Sequence, residues 1–250
     1  RYYFVGSNAY LPIVGGFMLA HEHYQGGRNI FLMMKAKIKK EIYFEKYPEV
    51  KAGIVDWPMS DLRLISKNSL DLIDLGSKII NFWDHYSDPA RQVKAFEGNS
   101  KHHTVTPIMH REGDRFILDL VLRDNNTSDE YPLGIFHPHA ELWHIKKENI
   151  GLIEVMGRAI LPGRLKGELE EVKKYLLNQD NRIADSHLDW ARKLKADSQI
   201  TKENVDSILQ QALVEIFDQV LECAGVFKNN EDGEVGWQKF TDALISEVDR

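Results

Sequence analysis

The stretch "TVTPIMHREGDRFILDLVLR", residues 104–123, contains the clearest secondary-structure signal in the chain. Two runs that suit β-strands, Thr104 to His110 and Arg115 to Arg123, flank the polar segment "REGDR". Gly113 supplies the residue that a tight turn between them needs. The stretch therefore predicts a β-hairpin and, with it, an antiparallel sheet.

Further segments on both sides of this hairpin have the composition of strands. They are Pro12 to Ala20, Asn29 to Lys37, Lys40 to Phe44, Gly53 to Trp57, Leu62 to Ser66 and Leu152 to Leu161. A helix is predicted to begin near Ser69, a candidate N-cap residue, because apolar residues recur there at helical spacing.

The chain changes character after about residue 164, where helical patterns replace strands. The predicted helices are Leu165 to Leu177, Asn181 to Lys195, Lys202 to Ala224 and Trp237 to Val248. The sequence therefore predicts an α+β fold, with an antiparallel sheet, flanking helices and a C-terminal helical tail.

Composition narrows the classes of partner. The 250 residues carry a net charge of −6 without a basic stripe, which argues against nucleic acid. No apolar run reaches the roughly 18 residues that a membrane span needs. The single cysteine, Cys223, fits a reducing compartment, so we expect a cytoplasmic protein. The chain begins at Arg1 and opens directly into an apolar segment, and we therefore expect a fragment or a processed chain.

The segment "AHEHYQGG" is the strongest candidate for a functional site. On a strand, His21, His23 and Gln25 would lie on one face, because side chains alternate. Two such histidines can bind zinc or iron. Alternatively, one imidazole attacks phosphorus while the other orients it. A hydrogen-bonded structural pair is the third alternative.

The residues after the histidines favour phosphoryl chemistry. The amide of Gln25 can donate to a phosphoryl oxygen without adding charge. Gly26 and Gly27 would allow the backbone to approach a bulky ligand closely. The residue pattern does not distinguish between a metal site, a nucleophilic histidine and a structural histidine pair.

A second histidine cluster lies in "HPHAELWH". His137, His139, Glu141 and His144 could bind a metal, could pair a carboxylate with a histidine, or could form a polar loop. His102 could join a site or face water, whereas His85, His110 and His187 are predicted to be ordinary surface histidines. "HEHYQ" begins at residue 21 and "HPHAE" at residue 137, a weak echo that is consistent with a duplicated module.

Three long motifs resemble one family. "GSNAYLPIVGGFMLAHEHYQGG", "HHTVTPI…LDLVLRDN" and "GIFHPHAELWHIKKENIGLIEVMGRAILPGRL" are similar to the Firmicute-type (class II) galactose-1-phosphate uridylyltransferases, of the histidine-triad-like (HIT-like) superfamily. The resemblance runs from about residue 1 to 166. It implies that residues 1–50 end a first HIT-like module whose N-terminal part is missing. It also implies a second module at 51–164 and a helical tail at 165–250.

The resemblance implies that UDP-glucose and galactose 1-phosphate give UDP-galactose and glucose 1-phosphate in a homodimeric enzyme. His23 would carry UMP covalently in a ping-pong reaction, Gln25 would bind the phosphoryl oxygen, and His21 would orient the site or bind metal. The remaining roles that it implies are phosphate contacts from Arg28, Arg158 and Arg164, and a structural zinc or iron ion at His137, His139 and, more weakly, His102.

Two departures from the family pattern keep other functions open. The chain is shorter than full-length members, and "RNIFLMM" differs from the expected continuation of the glycine pair. One alternative is another histidine-triad nucleotide hydrolase or phosphorylase. The other is a non-catalytic fragment that dimerises or binds metal.

Overall fold

The computed structural model describes residues 2–15 and 23–250, which form two units. The first unit comprises Arg1–His137, Asn149–Arg158 and Leu221–Arg250. The second unit comprises Pro138–Glu148 and Ala159–Val220.

The first unit contains an antiparallel sheet of seven strands and a separate two-stranded ladder. The strands are β1 Phe4–Gly6, β2 Gln25–Gly27, β3 Ile38–Ile42, β4 Lys51–Val55, β5 Asp61–Ser66, β6 Phe96–Glu97, β7 Ser100–Lys101, β8 His103–Glu112 and β9 Arg115–Asp124. The order in the large sheet is β2-β1-β8-β9-β5-β4-β3, and β6 pairs with β7. The short strand β2 therefore lies at one edge.

Helices of four or more residues occur in both units of the described chain. They are α1 Leu32–Lys35, α2 Ser69–Trp83, α3 Leu152–Val155, α4 Leu165–Leu176, α5 Asp185–Asp197, α6 Val205–Ala224 and α7 Glu231–Val248. No helix in the described part of the chain combines the length and apolar character that crossing a membrane requires.

The predicted hairpin is confirmed as β8 and β9. The two strands pair without interruption from His103 opposite Asp124 to Glu112 opposite Arg115. Gly113 has a φ of 60°, in the left-handed region that favours glycine, so the turn forms where the sequence places it. The α+β class with an antiparallel sheet and flanking helices is confirmed as well.

The sheet has one apolar and one polar face, because side chains alternate along each strand. Leucines of β5 and β9 pack with α2 and α7 on the apolar face. Gly76 of α2 lies so close to this face that a Cβ there would be 3.0 Å from Leu118 Cδ2. The opposite face, called here the polar face, carries buried hydrophilic side chains. They are Asp61, Arg63, Thr104, Thr106, His110, Asp119 and Arg123.

The end of α2 is fixed to the central hairpin by Trp83 and His103. Their rings stack at 3.8 Å between centroids with an interplanar angle of 3°. Trp83 Nε1 donates to the carbonyl of Thr104 at 2.9 Å, and His103 Nε2 lies 3.1 Å from Asp124 Oδ2. This buried contact satisfies polar groups that would otherwise be costly in a core.

Two predicted strands are wrong. Asn29 to Lys37 contains the short helix α1, and Leu152 to Leu161 begins with the short helix α3 and continues without a strand. Gly157, with a φ of 93°, follows Met156, the C-cap residue of α3. Short apolar runs of this kind do not distinguish a strand from a buried helical turn by periodicity.

Two smaller predictions also change. Residues 12–15 of the predicted strand Pro12 to Ala20 form a turn, and residues 16–20 lie outside the described residues. The N-cap of α2 is Asn68 instead of Ser69, because the Asn68 side chain accepts from the Leu70 N–H at 3.0 Å. The other predicted strands and the helices α4 to α6 occur within a few residues of their predicted bounds, whereas α7 begins at Glu231, well before the predicted Trp237.

The second unit has its own small core between α4, α5 and α6. Its buried residues are Val172, Leu176, Ala191, Val205 and Leu209. Strands β1 to β3 share one sheet with β4, β5, β8 and β9, and α7 belongs to the same unit as this sheet. The division into two HIT-like modules and a tail stays a prediction.

Candidate functional site

Strand β2 carries Gln25 and the glycine pair along β1. Gln25 pairs with Gly6, Gly26 with Val5, and Gly27 with Phe4. A Cβ at Gly26 would lie 2.9 Å from the backbone oxygen of Phe4, so the two strands leave no room for a side chain there. Strand packing is thus a sufficient reason for glycine at position 26.

The register places Gln25 on the polar face. Gln25 pairs with Gly6, Gly6 with Ile108, and Ile108 with Asp119, which pairs with Arg63. Residues directly opposite each other in antiparallel strands point to the same side. The half-buried Gln25 side chain therefore belongs to the same face as the buried Arg63 and Asp119.

His23 is half-buried and lies just before β2, beside the end of β1. Its backbone oxygen accepts from Ser7 Oγ at 3.2 Å. Its ring Nε2 lies 3.5 Å from Asn8 Nδ2. The antiparallel pairing of β1 and β2 explains this arrangement, because residues that follow β1 meet residues that precede β2.

Asn8 favours one tautomer of His23. Asn8 Oδ1 accepts from the backbone N–H of Leu152 at 2.6 Å, so the oxygen of the amide must point towards Leu152. The amide nitrogen, a donor only, then faces His23 Nε2. A donor at this position favours the tautomer with the proton on Nδ1 and the lone pair on Nε2. Asn8 was missed by sequence reasoning.

Side chains hold three consecutive backbone positions next to Asn8, in a segment called here the 150–152 turn. Leu152 N–H donates to Asn8, and Gly151 N–H donates to Glu154 Oε2 at 3.0 Å. The carbonyl of Ile150 accepts from both terminal nitrogens of Arg123 at 3.4 Å. This turn is therefore built from buried polar contacts.

A buried charge cluster occupies the middle of the polar face. Arg63 Nε donates to Asp119 Oδ1 at 2.6 Å, and its terminal nitrogens donate to the carbonyls of Ala36 and Met33. Neither oxygen of Asp61 has a hydrogen-bond partner among the described residues. Burial, and then the charge of Asp119, raise the pKa of Asp61 well above its usual range.

His110 lies on this face and is 3% exposed, so its prediction as a surface histidine is wrong. Burial, and then the positive charge of Arg63, lower the pKa of His110 to about 4. His110 is consequently neutral at pH 7.

The three candidate phosphate-binding arginines differ in their surroundings. Arg28 directly follows β2 and is exposed, and Arg158 is exposed after α3. Arg164 lies in the second unit, where it donates to Glu168 Oε2 at 2.6 Å and to the carbonyl of His144 at 3.0 Å. Arg28 and Arg158 are thus more accessible to a ligand than Arg164.

The predicted metal ligands do not form a complete set within residues 2–15 and 23–250. No group of three or more His, Cys, Asp or Glu side chains in this part of the chain could hold a metal ion. His137 Nε2 lies 3.2 Å from Asn149 Oδ1, and His102 Nδ1 lies 2.8 Å from Asn125 Oδ1. His139, in the second unit, precedes a short 3-10 helix at Ala140–Leu142. His21 lies outside the described residues, and the metal site stays a prediction.

His187 in the second unit is fully buried, so its prediction as a surface histidine is also wrong. Its Nε2 lies 2.9 Å from Glu168 Oε2, and its ring lies 5.4 Å from the ring of His144. Burial lowers the pKa of His144. The burial of His187 could have been inferred only from its position on α5, because apolar residues of this helix lie at helical spacing from it.

Comparison with known families decides the affiliation. The model of the family described as "Galactose-1-phosphate uridyl transferase, C-terminal domain" matches residues 1–192. The chain belongs to this family. The match includes every candidate site residue described above. The resemblance is therefore confirmed at the level of the family, while its wider HIT-like affiliation stays a prediction.

Several curated relatives of this uridyl transferase family are similar over nearly the whole chain. Galactose-1-phosphate uridylyltransferase of Lactobacillus helveticus is 73% identical over 247 residues, which are 99% of this chain and 51% of the relative. That of Ligilactobacillus salivarius (strain UCC118) is 55% identical over 97% of this chain and 49% of the relative. The chain thus spans about half the length of these relatives. No solved structure matches the chain.

Proposed function

We propose that this chain carries the histidine that accepts the uridylyl group in a galactose-1-phosphate uridylyltransferase, and that this residue is His23. The relatives that match nearly the whole chain bear that enzyme's name. The observation that supports His23 most directly is the amide of Asn8, which faces Nε2 while its oxygen is held by Leu152.

The proposed reaction has two similar halves. The lone pair on His23 Nε2 attacks the α-phosphorus of UDP-glucose, an N–P bond forms, and the P–O bond to glucose 1-phosphate breaks. Glucose 1-phosphate leaves with the bond's electron pair. A phosphate oxygen of galactose 1-phosphate then attacks the same phosphorus, UDP-galactose leaves, and His23 regains its lone pair.

Gln25 is proposed to bind a non-bridging oxygen of the transferred phosphoryl group. Its side chain lies on the polar face, two residues beyond His23. A neutral donor stabilises the charge that develops on these oxygens and does not bind the attacking imidazole as a carboxylate would. His21 is proposed to orient His23.

Arginines are proposed to bind the other phosphates, since a guanidinium can donate two parallel hydrogen bonds to them. Arg28 and Arg158 are exposed in the first unit and suit this role. The same role for Arg164 stays a prediction, because this residue already donates to Glu168 and to backbone carbonyls of its own unit.

Intact mass after incubation with UDP-glucose at neutral pH tests the proposal. We expect the mass of the chain to increase by that of UMP. The His23→Ala variant should show no increase, whereas His85→Ala, at an exposed position, should show the same increase as wild type. The experiment uses this chain and, in parallel, this chain joined to the residues of the Lactobacillus helveticus relative that lie outside the match.

The outcomes separate the alternatives. An adduct that galactose 1-phosphate discharges supports the transferase. An adduct that only water discharges indicates a nucleotide hydrolase instead. If neither protein forms an adduct, the chain is better described as a non-catalytic fragment.

Three accompanying properties stay proposals. They are a homodimer, a cytoplasmic location and a structural zinc or iron ion at His137 and His139. Elemental analysis of the purified protein, together with the His137→Ala and His139→Ala variants, tests the metal. Equal metal content and melting temperature in all three proteins would exclude these ligands.

A further inference from the structure

The buried arginine of β9 is the starting point. Arg123 is 1% exposed, and its Nε has no hydrogen-bond partner among the described residues. Within residues 2–15 and 23–250, its terminal nitrogens donate only to the Ile150 carbonyl and, from one of them, to Thr106 Oγ1, all at 3.4 Å. A buried guanidinium with so few and such long hydrogen bonds contributes little to fold stability and costs desolvation energy.

Arg123 is nevertheless charged at neutral pH. Burial lowers its pKa to about 10, and the negative charge of Glu154 opposes this decrease. Glu154 is itself 4% exposed and accepts from the Gly151 N–H at 3.0 Å. The two opposite charges thus hold the two ends of one peptide group, Arg123 through the Ile150 carbonyl and Glu154 through the Gly151 N–H.

The next peptide group holds Asn8. Leu152 N–H donates to Asn8 Oδ1, and the other end of that amide faces His23 Nε2. The position of this donor depends on the conformation of the 150–152 turn. A shift of the Ile150 carbonyl would move the Leu152 N–H and release the Asn8 amide, which could then rotate away from His23.

We infer that Arg123 is a positioning residue for the proposed uridylyl transfer: it fixes the 150–152 turn, and the turn fixes Asn8 against His23. This inference rests on the proposed function and adds to it a residue that does not touch the reacting atoms. Arg63 provides a matched comparison, since it is buried on the same face but donates to Asp119, Met33 and Ala36 instead of the turn.

A double-mutant cycle tests the inference through the single-turnover rate of adduct formation with UDP-glucose, in the chain joined to the remaining residues of the relative. Arg123→Lys keeps the positive charge but cannot donate to the Ile150 carbonyl from two nitrogens. We expect it to slow adduct formation about tenfold. In the Asn8→Ala background, Arg123→Lys should slow adduct formation less than about twofold, because the effects of substitutions within one contact network are not additive. Arg63→Lys should have equal effects in both backgrounds.

A second variant covers the case in which Arg123→Lys does not fold. Glu154→Gln keeps an acceptor for the Gly151 N–H but removes the charge that faces Arg123. It should show the same dependence on Asn8. Equal slowing of the reaction with and without Asn8→Ala, for both substitutions, would overturn the inference.

The tautomer of His23 gives a readout that does not require activity. Long-range proton–nitrogen spectra of wild type should place the ring proton on Nδ1, and Arg123→Lys should redistribute it between the two nitrogens. If wild type forms no adduct, the proposed function fails, and these spectra still decide the role of Arg123. An unchanged tautomer in Arg123→Lys would then contradict it.

Discussion

Asn8 and Leu152 are joined by a 2.6 Å hydrogen bond across 144 positions of sequence. Because the donor is a backbone N–H, the bond determines the orientation of the Asn8 amide and leaves its nitrogen towards His23. The nucleophilic character assigned to Nε2 therefore depends on a contact between two distant parts of the chain.

Asn8→Asp should separate the two ends of this amide. Aspartate still accepts from Leu152 but has no donor for His23, so we expect about a tenfold slower formation of the UMP adduct, the worth of one hydrogen bond near the reacting group. Ser7→Ala, which removes hydrogen bonds to the backbone oxygens of His23 and Asn8 but leaves the Asn8 side chain in place, serves as control. Wild-type rates in Asn8→Asp would show that the donor is dispensable.

Gly26→Ala and Gly27→Ala should differ in stability. A Cβ at Gly26 would meet the Phe4 backbone oxygen at 2.9 Å, whereas one at Gly27 would meet the Phe4 ring at 3.3 Å. We expect Gly26→Ala to lower the free energy of unfolding by about 1–3 kcal/mol, with a smaller loss for Gly27→Ala. Urea denaturation measures both. A loss of activity without a loss of stability in Gly27→Ala would point to close ligand approach at that position.

Asp61→Asn should stabilise the chain at neutral and alkaline pH. The raised pKa of Asp61 means that the native state keeps its proton after the unfolded state has lost it, so stability decreases as pH rises from the unfolded pKa through the folded one. Asparagine removes this decrease. The melting temperature at pH 8 should rise by about 2–4 °C for each ~1 kcal/mol gained, and the advantage should narrow towards pH 4.

Asp119→Asn, on the same face, should have the opposite effect and lower the free energy of unfolding. It leaves Arg63 buried without its charged partner, and breaking such a pair costs about 3–5 kcal/mol. If the melting temperatures of wild type and Asp61→Asn change in the same way from pH 4 to pH 8, the assignment of the buried proton to Asp61 would be contradicted.

His187→Ala should destabilise the chain, because it leaves a cavity and removes one of the two side chains that contact Glu168 Oε2. A loss of about 1–3 kcal/mol in the free energy of unfolding is expected. His85→Ala, at an exposed position, should stay within about 0.5 kcal/mol of wild type. Similar unfolding curves for the two variants would argue that the buried imidazole makes no net contribution.

The sequence was most informative where structure is local. The β8–β9 hairpin follows from two strand-forming runs and Gly113, which are adjacent in sequence. Helices α4 to α7 follow from regular apolar spacing. Segments α1 and α3 could not be predicted, because four-residue helices inside apolar runs have the same pattern as buried strands.

The residue types of the candidate site could be named from the sequence, whereas the residues that hold them in place could not. His23 and Gln25 were visible because histidine, glutamine and glycines lie together in one motif. Asn8 and Arg123 were not, since their importance arises from contacts with the 150–152 turn. The burial of His110 and His187 also depends on which face of their element is covered, and no single residue type reports that.

The place of β2 at the margin of the sheet has a consequence for hydrogen–deuterium exchange. Strand β8 is paired with β1 and β9, and strand β9 is paired with β8 and β5. Their amides should therefore exchange slowly, through near-global unfolding. Strand β2, three residues long and paired within the described part of the chain only with β1, should exchange much earlier. The strand that carries Gln25, next to His23, is thus expected to open locally while the central hairpin stays folded.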